Sequence, residues 1–205
     1  MPNRLIRSTV IAALLLAAAC GRTRETRLPE GGAQVSPPIL KPAFVLADQN
    51  GKPFDFRRDT EGYVTLLFFG YTHCPDVCPV HMSNIASALK RMSTEDQRRF
   101  KVVFVTTDPA RDDPARLKAW LGALDPSFIG LRGPVDSINA ITRGLGFGGA
   151  AIEDSTKQDY TVGHLGVVFA FTRDDSAHTI YPFGVRQADW AQDMPRLIDA
   201  HAPKS

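Results

Sequence analysis

The sequence predicts an α/β fold: a central mixed sheet flanked by helices, preceded by an N-terminal β-hairpin. Three observations carry this. Two continuous apolar runs, YVTLLFF at residues 63–69 and KVVFVTT at residues 101–107, have the composition of strands buried on both faces. A stretch with helical periodicity follows each, and buried strands joined through helices favour a parallel centre with right-handed crossovers. The chain then closes with two more strand-like runs around a polar turn, which adds an antiparallel pair before a final helix.

In chain order, the first element is the hairpin. FVLADQNGKPFDF, from Phe44, holds two short extended runs around Asn50-Gly51, a strong hairpin-turn signal. After the first buried strand, Cys78, Met82, Ile85, Leu89 and Met92 follow one another at steps of four, three, four and three, a helical stripe. Pro75 suits a first helical turn, which puts Cys74 near the cap and Cys78 one turn in. The strand at residues 101–107 leads to DDPARLKAWLGAL, a helix with Asp113 as N-cap and Pro114 at its first position. SFIGLRG, from Ser127, reads as a short strand, and PVDSINAITRGLG, from Pro134, as a helix ending at glycine. GVVFAF, from Gly166, and TIYPF, from Thr179, are strands separated by the turn TRDDSAH. A last helix sets Trp190, Met194, Leu197 and Ile198 on one face, with Pro195 requiring a kink or a late start. A parallel centre closed by an antiparallel hairpin is a thioredoxin-like sheet. In such sheets sites gather at the carboxyl ends of strands, which is where Cys74 stands.

The domain is expected at residues 41–205, with residues 20–40 as a flexible tether rich in Gly and Pro. Residues 1–19 resemble the signal of a bacterial lipoprotein. Arg4 and Arg7 precede an apolar run too short to span a bilayer, which needs about 20 residues. Small residues then lead to Cys20, the expected lipidation site, with Ala17 where leucine is usual. An ordinary cleaved signal and a short uncleaved anchor are the other readings. All three imply export, and the lipoprotein reading implies a membrane-anchored position facing the periplasm or another extracytoplasmic space. The net charge of +2, without a basic run carrying interleaved aromatics, speaks against nucleic acid as a partner.

With Cys20 lipidated, Cys74 and Cys78 are the only thiols left. Outside the cytoplasm they are either a disulfide or a pair kept reduced for a purpose. Four residues along a helix is about 6 Å of rise, within the 4.4–6.8 Å window between the Cα atoms of a disulfide. The same spacing lets both sulfurs face one ion. The positive end of the helix dipole favours thiolates, which are both nucleophiles and metal ligands, so electron transfer and metal binding both remain open. Redox pairs in thioredoxin-like proteins have two intervening residues, whereas here PDV makes three. A metal would need a third ligand. Of His73, His81, His164, His178 and His201, His164 is the strongest candidate, because it sits just before a buried strand expected beside the cysteine-bearing one. Alone it would be an ordinary core or surface histidine. His73 and His81 are expected to solvate or cap, Asp108 and Asp112 to serve as loop and capping residues, and Asp76 to respond to the helix dipole. The methionines form no cluster that could serve as a metal site.

FFGYTHCPDVCP, then TTDPARDDP, then FIGLRG, then a lone histidine before an apolar strand, resemble the Sco/SenC family over nearly all of the domain. That resemblance implies a membrane-tethered protein with a thioredoxin fold. It implies one copper ion held by two cysteines and one histidine, here Cys74, Cys78 and His164. It also implies a partner: the copper-receiving subunit of cytochrome c oxidase, whose dinuclear copper site the family helps to build, or another copper chaperone. Two thiolates and an imidazole suit copper(I) and tolerate copper(II), and three ligands leave an open side for transfer. The family has Asp before and Ser after its histidine; this chain has Gly163 and Leu165, so Asp76 or Asp159 would have to orient the imidazole. The alternative is a thiol-disulfide reductase, in which Cys74 attacks and Cys78 resolves, the two cycling through a redox disulfide. A thiol peroxidase is disfavoured by the spacing of Thr72 from Cys74.

Overall fold

A computed structural model describes residues 28–152 and 160–201. Its centre is an eight-stranded sheet. In chain order the first strands are β1 (Ala33–Leu40), β2 (Val45–Asp48), β3 (Pro53–Asp55) and β4 (Val64–Gly70). Next come β5 (Phe100–Thr106), β6 (Ile129–Arg132), β7 (Ala151–Ile152), β8 (Val162–Gly163), β9 (Val167–Phe171) and β10 (Ser176–Pro182). The helices are α1 (Phe56–Asp59), α2 (Val77–Leu89), α3 (Thr94–Gln97), α4 (Pro114–Leu124), α5 (Val135–Gly144) and α6 (Gln187–Asp199). The order across the sheet is β1-β10-β9-β4-β5-β6-β2-β3, and β7 with β8 forms a separate ribbon.

The parallel centre is β4-β5-β6, linked by crossovers through α2 and α4. β9 runs antiparallel to β4, and β10 to β9. The apolar runs have a simple cause. Val64, Leu66 and Phe68 enter one core with Phe100, Val102 and Phe104, while Leu67 and Phe69 enter the other with Val103 and Val105. Successive side chains alternate between faces, and both faces are covered, so no position calls for a polar residue. The first core also takes Cys78, Met82, Ile85 and Leu89 from α2, and Trp190, Met194, Leu197 and Ile198 from α6. Asp113 caps α4 by accepting from the Arg116 N–H at 2.7 Å, with Pro114 at the first position.

Four expectations need correction. The tether does not extend to residue 40: residues 33–40 are β1, paired antiparallel with β10. Its prolines, Pro37 and Pro38, are tolerated because it is an edge strand with a register irregularity between Gln34 and Ile39. Just before it, the Glu30 and Gly31 N–H groups donate to the buried Asp193 carboxylate at 2.9 and 2.7 Å. Secondly, α2 begins two residues later than Pro75 suggests. Asp76 is its N-cap, so Cys74 lies in the preceding loop and Cys78 is the second helical residue, while Met92 lies beyond the helix. Thirdly, β10 begins at Ser176, and Thr172, Asp174 and Ser176 close a turn shorter than TRDDSAH. Fourthly, α6 has no late start: it begins at Gln187, with Pro195 inside it. The short elements α1, α3, β7 and β8 carry too little periodicity to be read from sequence.

Candidate metal centre

The site forms where β4 ends. Gly70 is its last residue, and a Cβ there would lie 2.6 Å from Cys78 Sγ and 2.8 Å from a Phe68 ring carbon. Glycine is what lets the cysteine-bearing segment turn this close to the strand. The segment folds back through a Cys74 N–H donating to the Tyr71 carbonyl at 3.2 Å. Asp76 then starts α2 by accepting from the Val77 N–H. The Cys78 N–H, at the start of the helix, donates to Cys74 Sγ at 3.4 Å.

β9, antiparallel to β4, brings the third side chain from the other direction. His164 follows β8 directly, and its Nε2 lies 3.7 Å from Cys74 Sγ and 3.4 Å from Cys78 Sγ. All three donor atoms lie within 4.8 Å of one another. The Tyr71 and Phe68 rings meet the imidazole edge-on, with centroids 5.5 and 5.9 Å away, and restrict its tilt. His164 Nδ1 is 3.1 Å from the Leu165 carbonyl. A proton on Nδ1 donates there and leaves the Nε2 lone pair facing the sulfurs.

Backbone therefore does the orienting that a carboxylate was expected to do. Asp76 is occupied in capping α2, and Asp159 lies outside the described residues. His73 faces the other way, its Nδ1 3.5 Å from Asp112. His81 is buried beneath the site, with Nε2 3.3 Å from the Gly166 carbonyl, and desolvation pushes its pKa down. Neither converges on the sulfurs. A second group, Asp174, His178 and His201, gathers at the β9–β10 turn. Its two imidazoles stack with centroids 3.6 Å apart and planes within 9°, so their in-plane lone pairs run parallel instead of meeting at one point.

The two thiols are free but electrostatically unequal. The Cys74 pKa is lowered to about 4, first by the side-chain hydrogen bond with Cys78, then against burial by the Cys78 N–H and His164. Burial and the neighbouring Cys74 sulfur push Cys78 strongly up. One proton on Cys78, pointing at a Cys74 thiolate, satisfies both directions. Cys78 is fully buried, Cys74 8% exposed and His164 half-buried, so the donor set is open on one side only. Metal–sulfur and metal–imidazole bonds of about 2.3 and 2.0 Å at angles of 110–120° span roughly 3.5–3.7 Å between donors. The spans of 3.4 and 3.7 Å found here match that closely.

Asp112 proves more than a loop residue. Fully buried, it accepts from the Thr72 N–H at 2.9 Å and from the Thr72 and Thr106 hydroxyls at 2.6 Å each. Arg116 Nε donates to the same Thr72 hydroxyl at 2.9 Å. Asp108 pairs with Arg111 Nε and accepts from the Tyr160 hydroxyl at 2.8 Å. Sequence reading missed this support, along with Gly70, Tyr71 and Tyr160. Its one visible trace was the density of Asp and Arg in DPARDD.

Comparison with known proteins fits this geometry. Residues 32–199 match the SCO1/SenC family model. A candidate copper-binding protein of Stutzerimonas stutzeri is 32% identical over 77% of this chain and 76% of its own length. Mitochondrial SCO2 of Saccharomyces cerevisiae is 31% identical over 78% of this chain, which spans only 54% of that longer protein. Among solved structures, copper-bound ScoI of Bradyrhizobium japonicum superposes with a TM-score of 0.66 at 33% identity. It covers 78% of this chain and 99% of its own.

Proposed function

The chain belongs to the SCO1/SenC family, and on that premise we propose that it is a copper-binding chaperone that delivers copper to, or prepares, the dinuclear copper site of cytochrome c oxidase. Cys74 and Cys78 supply two thiolates and His164 the imidazole. The observation that carries this is the convergence of three soft or borderline donors, 3.4–3.7 Å apart across the sulfur–nitrogen gaps, with one side left open. Soft thiolates select copper(I), and structural zinc takes four ligands in a closed tetrahedron. Three donors hold an ion while leaving room for a partner's ligand, and exchange then proceeds without the ion ever being free. Oxidation of the pair to a disulfide withdraws two donors at once, so redox state gates loading. Residues 1–19 as a lipoprotein-type signal, and Cys20 as its lipidated end, would tether the domain on the extracytoplasmic side of a membrane. Among the described residues no helix is long and apolar enough to cross one.

The test is a copper(I) titration of the reduced protein against a competing chelator, with His164→Ala in parallel. The expected result is one ion per chain and a loss of at least tenfold in affinity in the variant. Binding indifferent to His164 would remove the three-ligand carrier.

One observation favours a second reading. Cys74, with its pKa lowered to about 4, is a thiolate at neutral pH on the open side of the site, with Cys78 buried behind it. In a reductase, the Cys74 thiolate attacks a partner disulfide and releases one partner thiolate. Cys78, giving up its proton, then displaces the second, leaving a Cys74–Cys78 disulfide and a doubly reduced partner. This reading predicts that both cysteines are essential and His164 dispensable.

A further inference from the structure

The metal donors come from distant parts of the chain: Cys78 and His164 are 86 residues apart in sequence. Something must set the gap between the two segments. One loop, from Thr107 to Asp113 between β5 and α4, touches both. Its Asp112 end holds the cysteine segment through the Thr72 N–H and hydroxyl. Its Asp108 end holds the histidine segment through Tyr160, four residues before His164. The Tyr160 hydroxyl donates to Asp108 Oδ1 at 2.8 Å. Arg111 lies between them: its Nε pairs with Asp108 Oδ2, its Nη2 donates to the Tyr160 carbonyl at 3.0 Å, and its guanidinium stacks over the Tyr160 ring at 3.5 Å. The Asp112 N–H donates to the Asp108 carbonyl at 2.9 Å, so the two ends move as one turn.

Resting on the copper-carrier reading, we propose that Tyr160, held by Asp108 and Arg111, is a positioning residue that fixes His164 at metal-binding distance from the two sulfurs. The two attachments differ in strength. Asp112 is fully buried and takes three hydrogen bonds. Tyr160 is half-buried and its side chain is held by one hydroxyl contact and a stacked cation. Parting the Tyr160 end frees the histidine while the cysteines stay anchored. An ion held by two thiolates alone is then the species presented to the acceptor. Tyr160 acts through the three residues that separate it from His164.

A double-mutant cycle tests this. Tyr160→Phe removes only the hydroxyl and keeps the ring under Arg111. Copper(I) affinity is measured by chelator competition for the native protein, Tyr160→Phe, His164→Ala and the double variant, with melting curves confirming that each is folded. The expected result is a loss of at least threefold for Tyr160→Phe in the native background and no further loss in the His164→Ala background, because the hydroxyl works only through the imidazole. An equal loss in both backgrounds would mean general loosening of the fold and overturn the inference, as would no loss in the native background while His164→Ala still weakens binding. If His164→Ala itself costs nothing, the carrier reading fails, and the positioning role fails with it.

Discussion

Cys74 and Cys78 differ in the one property that decides their chemistry, which is who carries the proton. With Cys74 lowered to about 4 and Cys78 pushed far up, the pair holds one proton and one negative charge at neutral pH. This has consequences for reactivity and for copper binding. Alkylation of Cys74 should titrate with an inflection near pH 4, since the thiolate is the nucleophile above it and the thiol is inert below. Peptide mapping should find Cys78 unmodified in the folded protein, and equal labelling of both would contradict the asymmetry. Copper(I) binding should release about one proton at pH 7, the one on Cys78, because Cys74 has already lost its own. Affinity should therefore rise about tenfold per pH unit between pH 7 and 8, as protons compete less for the Cys78 sulfur. At this scale the sequence was informative: the cysteine pair and a histidine before a strand pointed to three side chains that the fold brings together, while their role as a ligand set came from the family resemblance. The asymmetry was not legible, since it depends on which sulfur is buried and where the Cys78 N–H points.

Among the elements, the junction of β4 with α2 and the loop after β5 shape the site. Gly70→Ala would put a methyl group against Cys78 Sγ and Phe68, an overpacking that costs about 1–3 kcal/mol. Copper affinity should fall along with the melting temperature, because the displaced atom is one of the proposed ligands. Asp112→Ala leaves the buried Thr72 N–H and two hydroxyls without their acceptor. A loss of about 3 kcal/mol is expected, seen as a melting point roughly 6–12 °C lower for a chain of this size. A drop below 2 °C would mean that water or a shifted side chain replaces the carboxylate. The stripe from Cys78 to Leu89 and the cap at Asp113 were readable, since period and capping are local. The start of α2 was misplaced because Pro75 and Asp76 both suit a helix start, and only the tertiary loop chose Asp76. Asp112 looked like a capping residue because Asp113 beside it is one.

Across the whole molecule, the sheet is larger than its sequence suggests. The double burial of β4 and β5, the crossovers and the closing hairpin could be read from composition and period. β1 could not, because the glycines just before it and its own prolines mark a tether when read alone, and the prolines become tolerable only at the sheet edge beside β10. A fragment beginning at residue 41 would uncover the β10 edge and remove the Glu30 and Gly31 contacts with Asp193. It should melt at least about 5 °C below a fragment beginning at residue 28, and aggregate more readily through the bared edge. Equal melting points would show that β1 adds nothing to the fold's stability.

The central claim is that one ion sits between two thiolates and one imidazole, brought together at the end of β4 by the cysteine segment and the residues just before β9. X-ray absorption of the copper(I)-loaded protein reads that ligand set directly. The account predicts two sulfurs and one nitrogen around copper in the native protein, and loss of the nitrogen alone in His164→Ala. A native spectrum with sulfur ligands only, unchanged by His164→Ala, would contradict it and leave the cysteine pair as a carrier of electrons.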